Sequence, residues 1–206
     1  MAKIIILNGP AGVGKDTIGN ALCYDYRCIQ TSFKRPIFEI AAAILDARSF
    51  SEFIIAYDDR DKKEAPHSFL GGRTCREFMI WISEVVVKPL FGKRHFGKLM
   101  IEHITMNDEG FTFVCTDGGF PDEIIPLVED GHDVTVVRLF MDGKTFAGDS
   151  RDYIRIKESH FHDYYAYQEH DVHLVNGDID GGVLAVVRAC GISPSMGDEW
   201  ADDIPW

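Results

Sequence analysis

"IIILNGPAGVGKDTIGNAL", residues 4–22, contains the strongest structural signal in the chain. Its opening run is apolar and rich in β-branched residues, which is typical of a parallel strand buried on both faces. A glycine-rich turn follows at once, and Ile18, Ala21 and Leu22 then recur at helical spacing. A strand, a glycine-rich turn and a helix in this order form the context in which a phosphate-binding loop operates.

The turn almost matches the phosphate-loop pattern G-x-x-x-x-G-K-[ST], but Asp16 stands where the hydroxyl residue usually follows the lysine. In such a loop, backbone N–H groups and a helix N-terminus point at the phosphates of a nucleotide. Lys15 is the candidate catalytic cation between the β- and γ-phosphates. A glycine turn with a surface lysine is the alternative. The residues expected to bind ATP are Gly9, Ala11, Gly12, Val13, Gly14, Lys15, Asp16 and Thr17.

Three residues are candidate ligands of Mg²⁺, which prefers hard oxygen atoms and keeps several waters. Asp16 could bind the ion directly or through water, or serve only as an acidic residue in the first turn of a helix. Thr17 could supply the hydroxyl instead. Asp117 follows the buried strand FTFVCT, residues 111–116, at the end where parallel sheets gather ligands. We expect Asp117 to hold Mg²⁺ or accept a proton, unless it is only a turn former.

Alternating strands and helices predict a three-layer α/β fold, with a parallel sheet between helices on both faces. One domain is expected over residues 1–191, followed by a flexible acidic tail at 192–206. We interpret residues 46–72 as an exposed, mobile connection. The other expected strands are 133–140 and 172–175, and the expected helices include 74–88, 95–106, 121–129, 154–169 and 180–189.

Composition and charge limit the classes of partner. The chain has 206 residues and a formal net charge of −12, which opposes binding to polymeric nucleic acid or an anionic membrane surface. No apolar run approaches the ~20 residues of a membrane span. Met1 leads directly into the first strand, so we expect no signal peptide and a cytoplasmic location. The oligomeric state is left open, with a homodimer among the options.

A locally basic stretch over residues 73–98 offers a site for a small anion. Arg76 is the candidate catalytic cation at the acceptor phosphate, because it lies in the first turn of a helix and bidentate guanidinium suits phosphate. A solvated surface arginine is the alternative. Glu77 completes a capping box with Thr74. The residues considered for substrate binding are Lys34, Arg35, Arg73, Arg76, Glu77 and Trp81.

Several segments together resemble the phage-type deoxynucleoside monophosphate kinases, over most of residues 3–189. These segments are GPAGVGKDT, SFKRPIFEIAAAI, TCREFMIWISE, TDGGFPDE, VTVVRLF and HLVNGDIDGGVLAVV. The resemblance implies a P-loop kinase that moves the γ-phosphoryl group of ATP onto a deoxynucleoside 5′-monophosphate with Mg²⁺, in the cytoplasm of an infected host cell. It also accounts for the order Asp then Thr after the lysine.

The same resemblance assigns further regions. It implies an acceptor-binding region over about residues 34–106, a lid over about 141–157, and adenine contacts at Asn176 and Gly177. The cations that the lid offers are Lys144, Arg151 and Arg155, of which Arg151 is the catalytic candidate, and the choice of arginines that form the lid stays open. The family usually has an arginine before Phe-Pro, where this chain has Gly119. A phosphate contact expected from that arginine must therefore come from elsewhere or be missing.

The sequence also bears on functions other than a monophosphate kinase. A GTPase switch requires a guanine-reading N-K-x-D, and the sequence has none. A P-loop kinase of another small acceptor or of a modified nucleotide stays open. So does a catalytically silent nucleotide-binding protein. His160, His162 and His170 are interpreted as surface and lid residues, since no matching ligand set for zinc accompanies them.

Overall fold

A computed structural model describes residues 1–107, 110–149, 151–157, 161 and 166–193. Its centre is one five-stranded sheet in which every pairing is parallel, in the order β2-β3-β1-β4-β5. The predicted α/β class is confirmed. The strands are β1 (Lys3–Asn8), β2 (Ile29–Thr31), β3 (Thr112–Cys115), β4 (Asp133–Met141) and β5 (Tyr167–Leu174).

Helices cover both faces of the sheet. Because successive strand residues point to opposite faces, Ile4 and Ile6 join one apolar cluster while Ile5 and Leu7 join the other. The second cluster is closed by α1 (Lys15–Asp25) and α9 (Ile179–Cys190). The first cluster is closed by α2 (Arg35–Ile44), α3 (Ala47–Asp58), α5 (Cys75–Trp81), α7 (His95–Asn107) and α8 (Pro121–Glu129).

The expected mobile connection at residues 46–72 is wrong for most of its length, because it folds as helix. Asp46 caps α3 by accepting from the backbone N–H groups of Arg48 and Ser49 at 3.0 and 3.1 Å. The short helix α4 (Arg60–Lys63) and a 3-10 turn (Ser68–Leu70) follow. Phe53 is fully buried in the core, so the apolar residues at helical spacing in this segment outweigh its charged run.

The helix predicted over residues 74–88 is longer than expected. It begins with α5, passes through a π-helical stretch (Ile82–Val87) and ends with α6 (Lys88–Phe91). The predicted capping box at its start is confirmed: Thr74 Oγ1 accepts from Glu77 N at 3.1 Å, and Glu77 accepts from Thr74 N at 2.9 Å.

The helix predicted over residues 154–169 is also wrong where the structure describes this range, and residues 158–160 and 162–165 lie outside the described residues. Residues 151–157 form no helix, and β5 begins at Tyr167 and runs to Leu174. Glu169 and Asp171 alternate along β5, and both accept from the buried guanidinium of Arg138 on β4. Residues two apart lie on the same face of a strand, so Glu169 and Asp171 can both pair with one buried arginine. These ion pairs stabilise a strand in a segment for which the sequence predicted a helix. His170 lies on this strand, whereas His160, His162 and residues 194–206 lie outside the described residues.

Among the residues that the structure describes, no helix is both long enough and apolar enough to cross a membrane.

Candidate active site

The turn between β1 and α1 has the geometry of a phosphate cradle. Gly12 and Gly14 have φ values of 73° and 97°, in the left-handed region that glycine adopts without strain. A Cβ at Gly9 would lie 2.9 Å from the carbonyl oxygen of Leu139, so β4 also requires glycine there. Ala11 is exposed and Val13 is buried, which anchors the turn on the core and leaves its outer side open.

Lys15 bends back over this turn. Its Nζ donates to the carbonyl oxygens of Gly9 and Pro10 at 2.7 and 2.8 Å. Burial, followed by the positive charge of Arg151, lowers the pKa of Lys15 to about 8, and Lys34 acts in the same direction. The three cations are therefore close enough to oppose one another electrostatically. Such a concentration of positive charge is suited to an oligophosphate.

Asp16 and Thr17 are both exposed in the first turn of α1, and both present oxygen atoms. The hydroxyl of Thr116, one residue beyond β3, donates to Asp16 Oδ1 at 2.6 Å. Among the described residues, no group of three or more His, Cys, Asp or Glu side chains is placed to hold a metal ion. The available oxygens fit Mg²⁺, which binds through one or two carboxylates together with phosphate and water.

Asp117 connects β3 to the turn between β2 and α2. Its Oδ2 accepts from Ser32 Oγ at 2.6 Å and from Lys34 N at 3.2 Å, and its Oδ1 accepts from Phe33 N at 3.1 Å. The predicted position at the end of a buried strand is confirmed. Its carboxylate holds the 32–34 turn in place, and this role was not anticipated from the sequence.

Lys34 lies at the start of α2 and faces the same space as Asp117. Burial lowers the pKa of Lys34, but the Asp117 carboxylate and the Tyr57 hydroxyl outweigh burial, so the pKa is raised. Lys34 is consequently a stable cation. Tyr57, on α3, was missed in the sequence because its segment was taken for a loop.

Arg151 reaches the site from the segment that follows β4. Its Nε donates to Asp149 Oδ1 at 3.0 Å and its Nη2 donates to Asp149 Oδ2 at 2.6 Å, a bidentate pair. This pairing with Asp149 raises the pKa of Arg151 and lowers that of the carboxyl group. The charges of Arg76 and Asp117 also act on Arg151. Arg151 is therefore near Lys15 of the glycine-rich turn as well as Arg76 and Asp117.

The remaining acceptor-side candidates divide into two groups. Arg76 is about half exposed and pairs with Glu64, whose carboxylate accepts from its Nε and Nη2 at 3.0 and 2.9 Å. Arg73 lies over the ring of Trp81, 5.6 Å from the centroid. By contrast, Arg35 donates to Glu39 on its own helix at 2.8 Å. Its charge also acts on His103 of α7, so Arg35 lies on the α7 side of α2.

A groove of about 250 Å³ lies beside the phosphate loop, and the residues predicted to contact adenine line it. Asn176 and Gly177 line one side, and Gly12, Gly14 and Thr17 line the other. The groove continues past the C-terminal ends of β4 and β5 into a second space of about 430 Å³. The latter is bounded by Lys144, Phe140, Tyr153 and His173, among other residues.

Two further residues hold this site together and were missed in the sequence. Asn8, at the end of β1, accepts from Ile154 N at 2.9 Å and donates to the carbonyl of Asp152 at 3.3 Å. Arg138 also donates to the carbonyl of Ile154, at 3.0 Å. We call residues 151–157 the strap. The sequence offered one signal for Asn8, namely that it is a polar residue at the end of an otherwise apolar strand.

No known family's sequence profile matches the chain, and no curated protein is detectably similar in sequence. The solved structures that are similar in shape include the following two. An unliganded sugar kinase from a Janibacter species is 11% identical, with a TM-score of 0.44, covering 94% of this chain and 97% of the other. An uncharacterized protein from Eubacterium ventriosum is 12% identical, with a TM-score of 0.44, covering 93% and 99%. At these values, assignment of function rests on the site itself.

Proposed function

We propose that the protein is an ATP-dependent phosphotransferase of the nucleoside monophosphate kinase type, acting on a deoxynucleoside 5′-monophosphate. The observation that carries the proposal is the run of cations from Lys15 through Lys34 and Arg151 to Arg76. Phosphoryl transfer requires a cradle for the donor and cations that span donor and acceptor phosphates, with little covalent chemistry from the protein.

The donor side is proposed to bind ATP. The phosphate loop would hold the phosphates with its backbone N–H groups and Lys15. The base would enter the groove lined by Asn176 and Gly177. Mg²⁺ would be held by Asp16 and Thr17, where it supplies Lewis-acid stabilisation of the phosphate charge. Asp117 is assigned to positioning Lys34, since its oxygens already accept from the 32–34 turn.

The acceptor side is proposed to bind the monophosphate between α2, α3 and α5. Lys34 and Arg76 approach it from different helices, and Trp81 and Arg73 form an adjoining wall. An acceptor phosphate is itself the nucleophile at neutral pH, so no general base is required. The net charge of −12 disfavours polymeric nucleic acid as the acceptor. The cytoplasm, where ATP is available, is the proposed location.

The test is ADP release with Mg-ATP and each of dAMP, dGMP, dCMP, dTMP and dUMP in turn, with the ribonucleotides as a second series. Lys15→Ala is expected to lower kcat at least about 100-fold, because it removes a cation at the transferring phosphate. Lys62→Ala, on the exposed helix α4, is the matched control and is expected to retain activity.

Other outcomes assign the site differently. Lysine-dependent ADP release with a different small acceptor or a modified nucleotide would keep phosphotransfer and replace the substrate. ATP binding without release from any acceptor would indicate a catalytically silent nucleotide-binding protein. Activity of Lys15→Ala at the wild-type rate would overturn the phosphate-loop assignment.

A further inference from the structure

Gly119, in the turn after β3, lies directly under the side chain of Arg151. A Cβ built on Gly119 would overlap Arg151 Cδ and lie 2.9 Å from Arg151 Cγ. The backbone of Gly119 is outside the left-handed region, so its conformation alone does not require glycine. What excludes a side chain at position 119 is the stem of an arginine that is 32 residues away in sequence.

Arg151 has little freedom to move away from this contact. Its guanidinium is bonded to Asp149 on one side. On the other side, Asn8 bonds the strap at Asp152 and Ile154, and Ile154 is buried. A new side chain at position 119 would therefore force the Arg151 stem to rotate about its own bonds and break the bidentate pair with Asp149.

The turn that carries Gly119 is itself fixed. Glu123, in the first turn of α8, accepts from the N–H groups of Gly119 and Phe120, both at 3.2 Å. Two rigid surfaces, the 118–120 turn and the strap, thus meet at the arginine stem. Of the guanidinium nitrogens of Arg151, Nε and Nη2 donate to Asp149, and among the described residues Nη1 is left for a ligand.

We propose that Gly119 is a positioning residue: the absence of a side chain there seats Arg151 so that its guanidinium contacts the phosphates bound between Lys15 and Arg76. The inference rests on the proposed function for the identity of those phosphates. It predicts that residue 119 affects the site entirely through Arg151. The active-site cation is then determined jointly by a glycine on one segment and an arginine on another.

A double-mutant cycle with Gly119→Ala, Arg151→Ala and the double variant tests whether Gly119 acts by positioning Arg151. The probe is inorganic tripolyphosphate, whose affinity is measured by calorimetry in the absence of acceptor. Each single variant is expected to weaken binding about tenfold or more, as for loss of a hydrogen bond to a charged group. The double variant is expected to bind no more weakly than Arg151→Ala. Arg155→Ala, an exposed arginine on the same strap, is the matched control and is expected to bind normally.

Two results would overturn the proposal. One is wild-type affinity for tripolyphosphate in Gly119→Ala, because the position of Arg151 would then not depend on the absence of a side chain at residue 119. The other is additive loss in the double variant, because Gly119 would then act on its own. If the Gly119→Ala single variant fails to fold, recovery of folding in the double variant supports a steric conflict between residue 119 and Arg151. A double variant that is also unfolded refutes it. Tripolyphosphate binding needs no acceptor, so it tests the positioning of Arg151 independently of phosphoryl transfer. If the proposed function is wrong, turnover is absent while the effects of Gly119→Ala and Arg151→Ala on tripolyphosphate binding are still non-additive.

Discussion

The Thr116 hydroxyl donates to Asp16 Oδ1 across 2.6 Å and thereby joins the first turn of α1 to the end of β3. This bond fixes the orientation of the carboxylate that stands in place of the usual phosphate-loop hydroxyl. It occupies one oxygen of Asp16, and the other oxygen is proposed to bind Mg²⁺.

Asp16→Asn is expected to raise the Mg²⁺ concentration at half-maximal activity about tenfold, because the amide keeps the acceptor for Thr116 but loses the charge that attracts the ion. The measurement is a Mg²⁺ titration at saturating ATP. Thr116→Val, which removes the hydroxyl and keeps the carboxylate, is the companion variant. An unchanged Mg²⁺ dependence in Asp16→Asn would assign the aspartate to the helix N-terminus alone.

Arg76→Ala is expected to raise the acceptor KM about tenfold or more, since a charge-assisted hydrogen bond to phosphate is lost. ATP affinity should change little, because Arg76 is proposed to contact the acceptor and not ATP. Initial rates with each substrate varied in turn provide the measurement. Arg48→Ala is the control, since Arg48 is also a helical arginine paired with a glutamate. A rise in the ATP KM with an unchanged acceptor KM would place Arg76 on the donor side.

Asn8→Ala is expected to reduce the free energy of unfolding by roughly 1–3 kcal/mol, because it leaves the buried N–H of Ile154 without its acceptor. Asn8 itself is almost fully buried. Denaturant unfolding measures the change, and Asn20→Ala on the exposed side of α1 is the control. Equal stability of the two variants would show that the strap is not held by Asn8.

Glu123 predicts a pH dependence of stability. Burial, and then the negative charge of Asp117, raises the pKa of Glu123 from its usual 4.5 to about 7, against the opposing effects of the bonds from Gly119 and Phe120 and of Lys88. Between these two values the folded protein holds a proton that the unfolded chain has lost. Stability contributed by this group is therefore present below pH 4.5 and is lost as the pH rises to 7.

Glu123→Gln removes that titration and keeps an acceptor for the two N–H groups. Relative to this variant, the wild type is expected to lose up to about 3 kcal/mol of unfolding free energy between pH 4.5 and 7. Urea unfolding of both proteins at several pH values measures the difference. Parallel stability curves for the two proteins would show that the carboxyl group titrates normally.

The sequence predicted the parts of the molecule that depend on local pattern. The glycine-rich turn between a strand and a helix, the capping box at Thr74 and the buried strand before Asp117 were all correct, because each depends on a pattern of neighbouring residues. The helices within residues 46–72 were missed although their apolar spacing was present, since the charged run dominated the interpretation. The contacts of Asn8 with Ile154 and of Gly119 with Arg151 join distant segments, and no local pattern encodes them.

The central position of β1 has a consequence for synthesis of the protein. Its hydrogen-bonding partners are β3 and β4, which lie more than 100 residues further along the chain. As the polypeptide leaves the ribosome, the first strand has no neighbour until β3 has been made, and it lacks its second neighbour until β4 is complete at residue 141. Pairings between such distant segments form slowly. The glycine-rich turn that follows β1 is encoded near the start of the chain, yet the strands on both sides of β1 are complete only late in translation.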